Sequence, residues 1–116
     1  MLSNVAVIGA GVSGLTAGYA LRKIGTEVDI FERSESIKEF GAGITLSKNA
    51  TILLQEIGLM ESLSSVGHHP MGSYIRDYKK AKVIKSKTFD KNFITLDRRD
   101  LVATLATRYE EIGGSI

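Results

Sequence analysis

Val5-Ala-Val-Ile-Gly-Ala-Gly-Val-Ser-Gly14 decides how this chain folds. An apolar run, Val5 to Ile8, ends in glycines at Gly9, Gly11 and Gly14, and an alanine-rich helical stretch follows. A second apolar segment, Glu27 to Phe31, then closes on the acidic Glu32. Strand, glycine turn, helix and strand in this order form the G-x-G-x-x-G fingerprint in its proper context. Each glycine has its own reason: Gly9 for the tight turn, Gly11 for a pyrophosphate to approach the backbone, Gly14 for close helix–strand packing. Val12 and Ser13 open the helix, and its unpaired N–H groups and positive dipole end attract an anion. Glu32 lies 18 residues after Gly14, where a carboxylate can accept hydrogen bonds from a ribose. The segment therefore reads as a dinucleotide site, with FAD and NAD(P) both open from this motif alone.

Composition narrows the surroundings. The 116 residues are 43% hydrophobic and 24% charged, a globular balance with room for one modest core. A net charge of +2 gives no reason to expect a nucleic-acid or membrane partner. There are no cysteines, which removes disulfides, thiolate metal sites and a cysteine nucleophile. No basic segment precedes the first apolar run, and that run is too short to span a bilayer. A cytoplasmic protein is expected.

Further along, the spacing predicts a helix from Val12 to Ile24 capped by Gly25, with Gly14, Ala17 and Gly18 allowing close approach to the sheet. Residues 33 to 41 read as a polar loop, and Gly41 to Leu46 as a glycine-rich turn running into extended chain. Ser47 is placed as the N-cap of a helix from Lys48 to Ile57, whose apolar stripe is Ile52, Leu53 and Ile57. A short helical turn around Met60 to Ser65 follows. Ser73 to Tyr78 and Lys82 to Lys87 read as a hairpin turning at Lys79, Lys80 and Ala81. Asn92 to Leu96 is a further short strand, and Asp97 caps a last helix carrying Leu101, Leu105, Tyr109 and Ile112 on one face. Glu110 to Ile116 reads as a helix end, a glycine cap and the start of another strand.

The fold class is thus α/β, a partial Rossmann-like domain: a βαβ start, a helical excursion, a β-hairpin and a returning helix. Residues 1–116 read as the N-terminal portion of an FAD/NAD(P)-binding domain, with about 72–96 beginning a second β-sheet. A missing third strand would leave an open sheet edge, a route to homo-oligomers.

Three segments resemble the flavin-dependent aromatic hydroxylases, the single-component FAD monooxygenases typified by p-hydroxybenzoate and salicylate hydroxylases. The first is Val7 to Ala17 with Glu32-Arg33. The second is Gly41-Ala-Gly-Ile-Thr-Leu-Ser-Lys-Asn-Ala50 with Leu54-Gln-Glu-Ile-Gly-Leu59, where Lys48 replaces the family's usual proline. The third is Leu96-Asp-Arg-Arg-Asp-Leu101, similar to the family's His-Arg-x-Asp-Leu, with Asp97 standing where histidine is common. The likeness covers nearly the whole chain in the family's order. Two later family motifs, an Asp-Gly and a Gly-Asp pair, do not occur here in their expected places.

The resemblance implies FAD as cofactor, NAD(P)H as co-substrate and an aromatic or related small-molecule substrate. It implies that Ala42, Gly43 and Arg98 lie towards the flavin. Arg33 reads either as a residue beside the adenine or as a solvated loop arginine, and Arg99 as a solvated arginine. The flavin makes the bonds in such chemistry, so no catalytic side chain is nominated. His68-His69 reads as loop rather than metal site, and the lysines of the hairpin as a solvated face. Two functions remain open: the FAD-binding portion of a monooxygenase, or a non-catalytic nucleotide-binding or self-associating module.

Overall fold

The computed structural model describes residues 3–37 and 41–116; part of the polar loop expected over 33 to 41, at 38–40, lies outside them. The chain is α/β, with β1 (Asn4–Ile8), α1 (Val12–Lys23), β2 (Glu27–Phe31), β3 (Gly43–Leu46) and α2 (Lys48–Glu56) in its first half. The second half contains α3 (Met60–Val66), β4 (Gly72–Arg76), β5 (Val83–Thr88), β6 (Ile94–Asp97) and α4 (Arg98–Glu111).

Strands β1 and β2 pair in parallel, Asn4 opposite Glu27 through Ile8 opposite Phe31. Parallel neighbours need a crossover, and α1 supplies it. The left-handed Gly25, at φ 88°, ends that helix beyond Ile24. Gly14 and Gly18 give the close approach expected of them. A methyl on Gly14 would overlap the Gly9 carbonyl, and one on Gly18 would come within 2.8 Å of Ile30 Cδ1 and 3.1 Å of Tyr109 Cε2. Ala17, by contrast, is exposed.

Helix α4 returns along α1 and completes one face of the sheet. Leu101, Leu105 and Tyr109 are buried, and Ile112 packs against the same core. They meet Leu15 and Tyr19 of α1 and Val28 and Ile30 of β2 in a single cluster. Burying each such side chain contributes roughly 1.5–3 kcal/mol before ordering costs. The left-handed Gly113, at φ 82°, stops the helix, and Ser115 then bridges Asp29 in parallel, its carbonyl accepting the Ile30 N–H at 2.9 Å. The sheet thus runs Ser115, β2, β1, and its opposite face is open: Ile8 is 83% and Phe31 57% exposed.

Strands β3 and β6 pair antiparallel, Gly43 opposite Asp97, and His68 bridges Thr95 on the other side of β6. Strands β4 and β5 form a separate antiparallel sheet with every residue exposed and a register shift between Ile75 and Arg76.

Helix α2 departs from expectation twice. Its buried residues are Thr51 and Leu54, whereas Leu53 is 61% and Ile52 40% exposed. The i, i+3 pair faces the core, and Thr51 can be buried because its hydroxyl donates to the Ser47 carbonyl. Ser47 occupies the N-cap, but its side chain caps no backbone N–H; the hydroxyl turns to Asn49 Oδ1 instead.

Candidate functional site

The glycine turn lies at the carboxyl ends of β1 and β2, where open parallel sheets present their ligand crevice. Gly9 leaves β1 at φ 101°, a left-handed conformation that glycine adopts without strain. Its N–H donates to the Phe31 carbonyl at 2.7 Å, carrying the ladder one step past the strands. Gly11 is the N-cap of α1 with extended backbone, no side chain caps the helix, and its first turn holds no acid. The Leu15 N–H is the first to reach an acceptor within the helix, the Gly11 carbonyl. The N–H groups of Val12, Ser13 and Gly14 precede it and have no intrahelical acceptor. A methyl built on Gly11 would meet nothing within 4 Å. The head of α1 is therefore an open cradle of donors at the positive end of the helix dipole.

Glu32 faces this turn. Its Oε2 accepts the Ala10 N–H at 2.8 Å and its Oε1 accepts the Ser34 N–H at 3.0 Å. The Ser34 bond first, then the Ala10 bond, holds the carboxyl below its ordinary 4.5. A carboxylate oxygen can accept more than one hydrogen bond, so both keep capacity for hydroxyl donors. Arg33 follows on the exposed side of the loop.

The second group assembles where β6 passes into α4. The Arg98 N–H donates to the Ala42 carbonyl at 2.9 Å, beside the pairing of Gly43 with Asp97. Ala42, Gly43 and Arg98 are thereby brought together, and a methyl on Gly43 would meet nothing within 4 Å. Asp97 caps α4, accepting the Arg99 N–H at 2.8 Å.

Arg99 is exposed, as its sequence reading expected, with its side chain 62% accessible. Its guanidinium is in addition paired with Asp97, Nη2 to Oδ2 at 2.7 Å. The Arg99 side-chain bond and then its backbone N–H bring the Asp97 carboxyl down to about 2. The available signal was an aspartate at the N-cap with an arginine two residues on, near enough to fork back. Sequence reading also missed Ala10 as a partner of Glu32.

An apolar groove of about 530 Å³ runs from the head of α1 along its flank, between α2 and α4, lined in part by Val12 and Ser13 of α1, Leu46 of β3, Leu53 of α2 and Leu101 of α4. Among the described residues no group of histidine and acidic side chains could hold a metal ion.

The open donor cradle and the facing carboxylate fit the adenosine diphosphate part of FAD. Comparison with known proteins agrees. Residues 3–115 match the family model described as FAD binding domain. The chain is 30% identical over 119 residues to the FAD-dependent monooxygenase OpS4 of Beauveria bassiana, covering 95% of this chain and 28% of that protein. It is 30% identical over 110 residues to 6-hydroxynicotinate 3-monooxygenase of Pseudomonas fluorescens, covering 88% and 29%. Among solved structures, the tetrameric form of 2-methyl-3-hydroxypyridine-5-carboxylic acid oxygenase superposes with a TM-score of 0.88 at 28% identity. That match covers 99% of this chain and 31% of the other. The chain spans less than a third of the length of each of these relatives.

Proposed function

Because the chain belongs to the family of FAD binding domains, we propose that it is the FAD-holding part of a flavin-dependent monooxygenase. The whole protein hydroxylates an aromatic or related small molecule with NAD(P)H and O₂. The observation that carries the binding half of this reading is the uncapped head of α1 beneath an unobstructed Gly11, with Glu32 fixed opposite.

Each residue then has a role. The N–H groups of Gly11, Val12, Ser13 and Gly14 receive the diphosphate, with Gly9 making the turn that aims them. Glu32 accepts the ribose hydroxyls, and Arg33 lies against the adenine. Ala42 and Gly43 leave room for the flavin ring, and Arg98 stands beside it. When bound, FAD supplies the two-electron chemistry that links NAD(P)H oxidation to oxygen use. These residues contribute binding, orientation and a close backbone, not proton transfer.

Residues 1–116 form the N-terminal portion of the FAD/NAD(P)-binding domain. Within about 72–96 it is β4 and β5 that begin a separate sheet, while β6 pairs with β3 instead. The protein works in the cytoplasm; among the described residues no helix is long and apolar enough to cross a membrane. The relatives' names support a small-molecule substrate. A second reading, a self-associating nucleotide-binding module, is favoured by the exposed Ile8 and Phe31 on the open sheet face.

Titration of FAD fluorescence with the purified protein tests the first reading. Quenching at near-equimolar stoichiometry is expected. Gly11→Ala, whose methyl meets nothing within the chain, should weaken it at least about tenfold by crowding the diphosphate, with a stability loss of about 1 kcal/mol or less from the poorer N-cap. A wild-type protein that leaves FAD fluorescence untouched sinks the reading.

A further inference from the structure

Three consecutive residues of the glycine-rich turn are engaged by three consecutive residues at the β6–α4 junction. Gly43 pairs with Asp97 in the ladder, the Ala42 carbonyl accepts the Arg98 N–H, and Gly41 lies against the Arg99 guanidinium. A methyl built on Gly41 would stand 3.0 Å from Arg99 Cζ, 3.1 Å from Nε and 3.1 Å from Nη2. Near-equal distances to three atoms of one plane mean that the face of the guanidinium is turned to Gly41.

The end of a long side chain normally moves aside at little cost. Here Arg99 donates from Nε to Asp97 Oδ1 at 3.1 Å and from Nη2 to Oδ2 at 2.7 Å. This two-pronged geometry belongs to a planar fork and is not available to an ammonium. Asp97 is fixed in turn by the Arg99 N–H. Gly41 and Gly43 are therefore small for different reasons. Gly43 faces open space, whereas Gly41 accommodates the guanidinium.

We propose that Asp97 and Arg99 form a latch that seats the turn 41–43 on the β6–α4 junction, making Arg99 a positioning residue for the flavin-facing turn. The flavin clause rests on the function proposed above; the latch itself does not.

A double-mutant cycle on the FAD-loaded protein tests it, using Gly41→Ala, Arg99→Ala and the two combined. Affinity is read by FAD fluorescence, flavin environment by the visible absorption bands, and turn seating by hydrogen exchange at the Arg98 amide. Each single change should weaken FAD about two- to fivefold, the scale of an exposed ion pair, shift the flavin bands and speed Arg98 exchange. The combined variant should be no worse than one single change, because removing the guanidinium makes room for the methyl. Arg99→Lys, which keeps the charge without the plane, should resemble Arg99→Ala.

Additive effects, unchanged Arg98 exchange in Arg99→Ala, or wild-type behaviour of Arg99→Lys would each overturn the latch. If wild type takes up no FAD, exchange at Arg98 still decides: faster exchange in both single variants, without a further rise in the double, keeps the latch while the cofactor reading falls.

Discussion

A methyl group at position 14 and one at position 11 have opposite fates. Gly14→Ala drives its methyl into the Gly9 carbonyl, and overpacking of this kind costs about 1–3 kcal/mol; urea denaturation should show the loss whether or not FAD is present. Gly11 meets nothing within the chain, so its change registers in ligand affinity. Glu32 gives a pH signature. Its folded carboxyl titrates below the ordinary 4.5 because the Ser34 and Ala10 N–H groups favour the anion, so its stabilisation is complete above about 4.5 and is lost as the pH falls below that value. Thermal melting followed from neutral to acid pH should therefore show Glu32→Gln less stable than wild type at neutrality, with the two converging in acid. The glycines and Glu32 were legible because their demands are local in sequence. The Arg99 stack was not, since its partner Gly41 approaches only when β3 pairs with β6.

Helix α4 shows what a periodic pattern can and cannot convey. The spacing of Leu101, Leu105 and Tyr109 announced the buried face, and Asp97 announced the cap. Nothing local indicated that the Tyr109 hydroxyl would donate to the Val28 carbonyl at 2.6 Å in the core. Burial raises the Tyr109 phenol above its usual 10.0, which keeps it a donor. Tyr109→Phe leaves that carbonyl without its partner, and a loss of about 1–3 kcal/mol in urea unfolding is expected. In α2 hydrophobicity misled: Ile52 and Leu53 are more apolar than Thr51, but helix geometry decides which side meets α3 and the core. Leu53 instead borders the apolar groove, a placement set by tertiary packing.

The molecule is elongated, with extents of 60 × 29 × 20 Å, and two of its apolar surfaces are open. One is the sheet face bearing Ile8 and Phe31; the other is the hairpin, where Tyr74, Ile75 and Ile84 are exposed. Parallel sheets ordinarily have both faces covered, so the 116-residue protein should self-associate in sedimentation velocity, and Ile8→Ser with Phe31→Ser should reduce that association. A βαβ opening and a hairpin-bearing insertion could be read from residue order, because turns and alternation are local signals. Which faces lack a cover could not, because a pattern marks a surface as apolar without naming what lies on it. The bridge from Ser115 to Asp29 has one more consequence. Each new parallel strand is laid on the outer side of the one before it, so none must be threaded between two neighbours already joined. Asp29 and Ser115 are 86 residues apart, so this edge pairs only after almost the whole chain has been made. Such non-local parallel pairing favours slow folding, even though the order of assembly follows the order of synthesis.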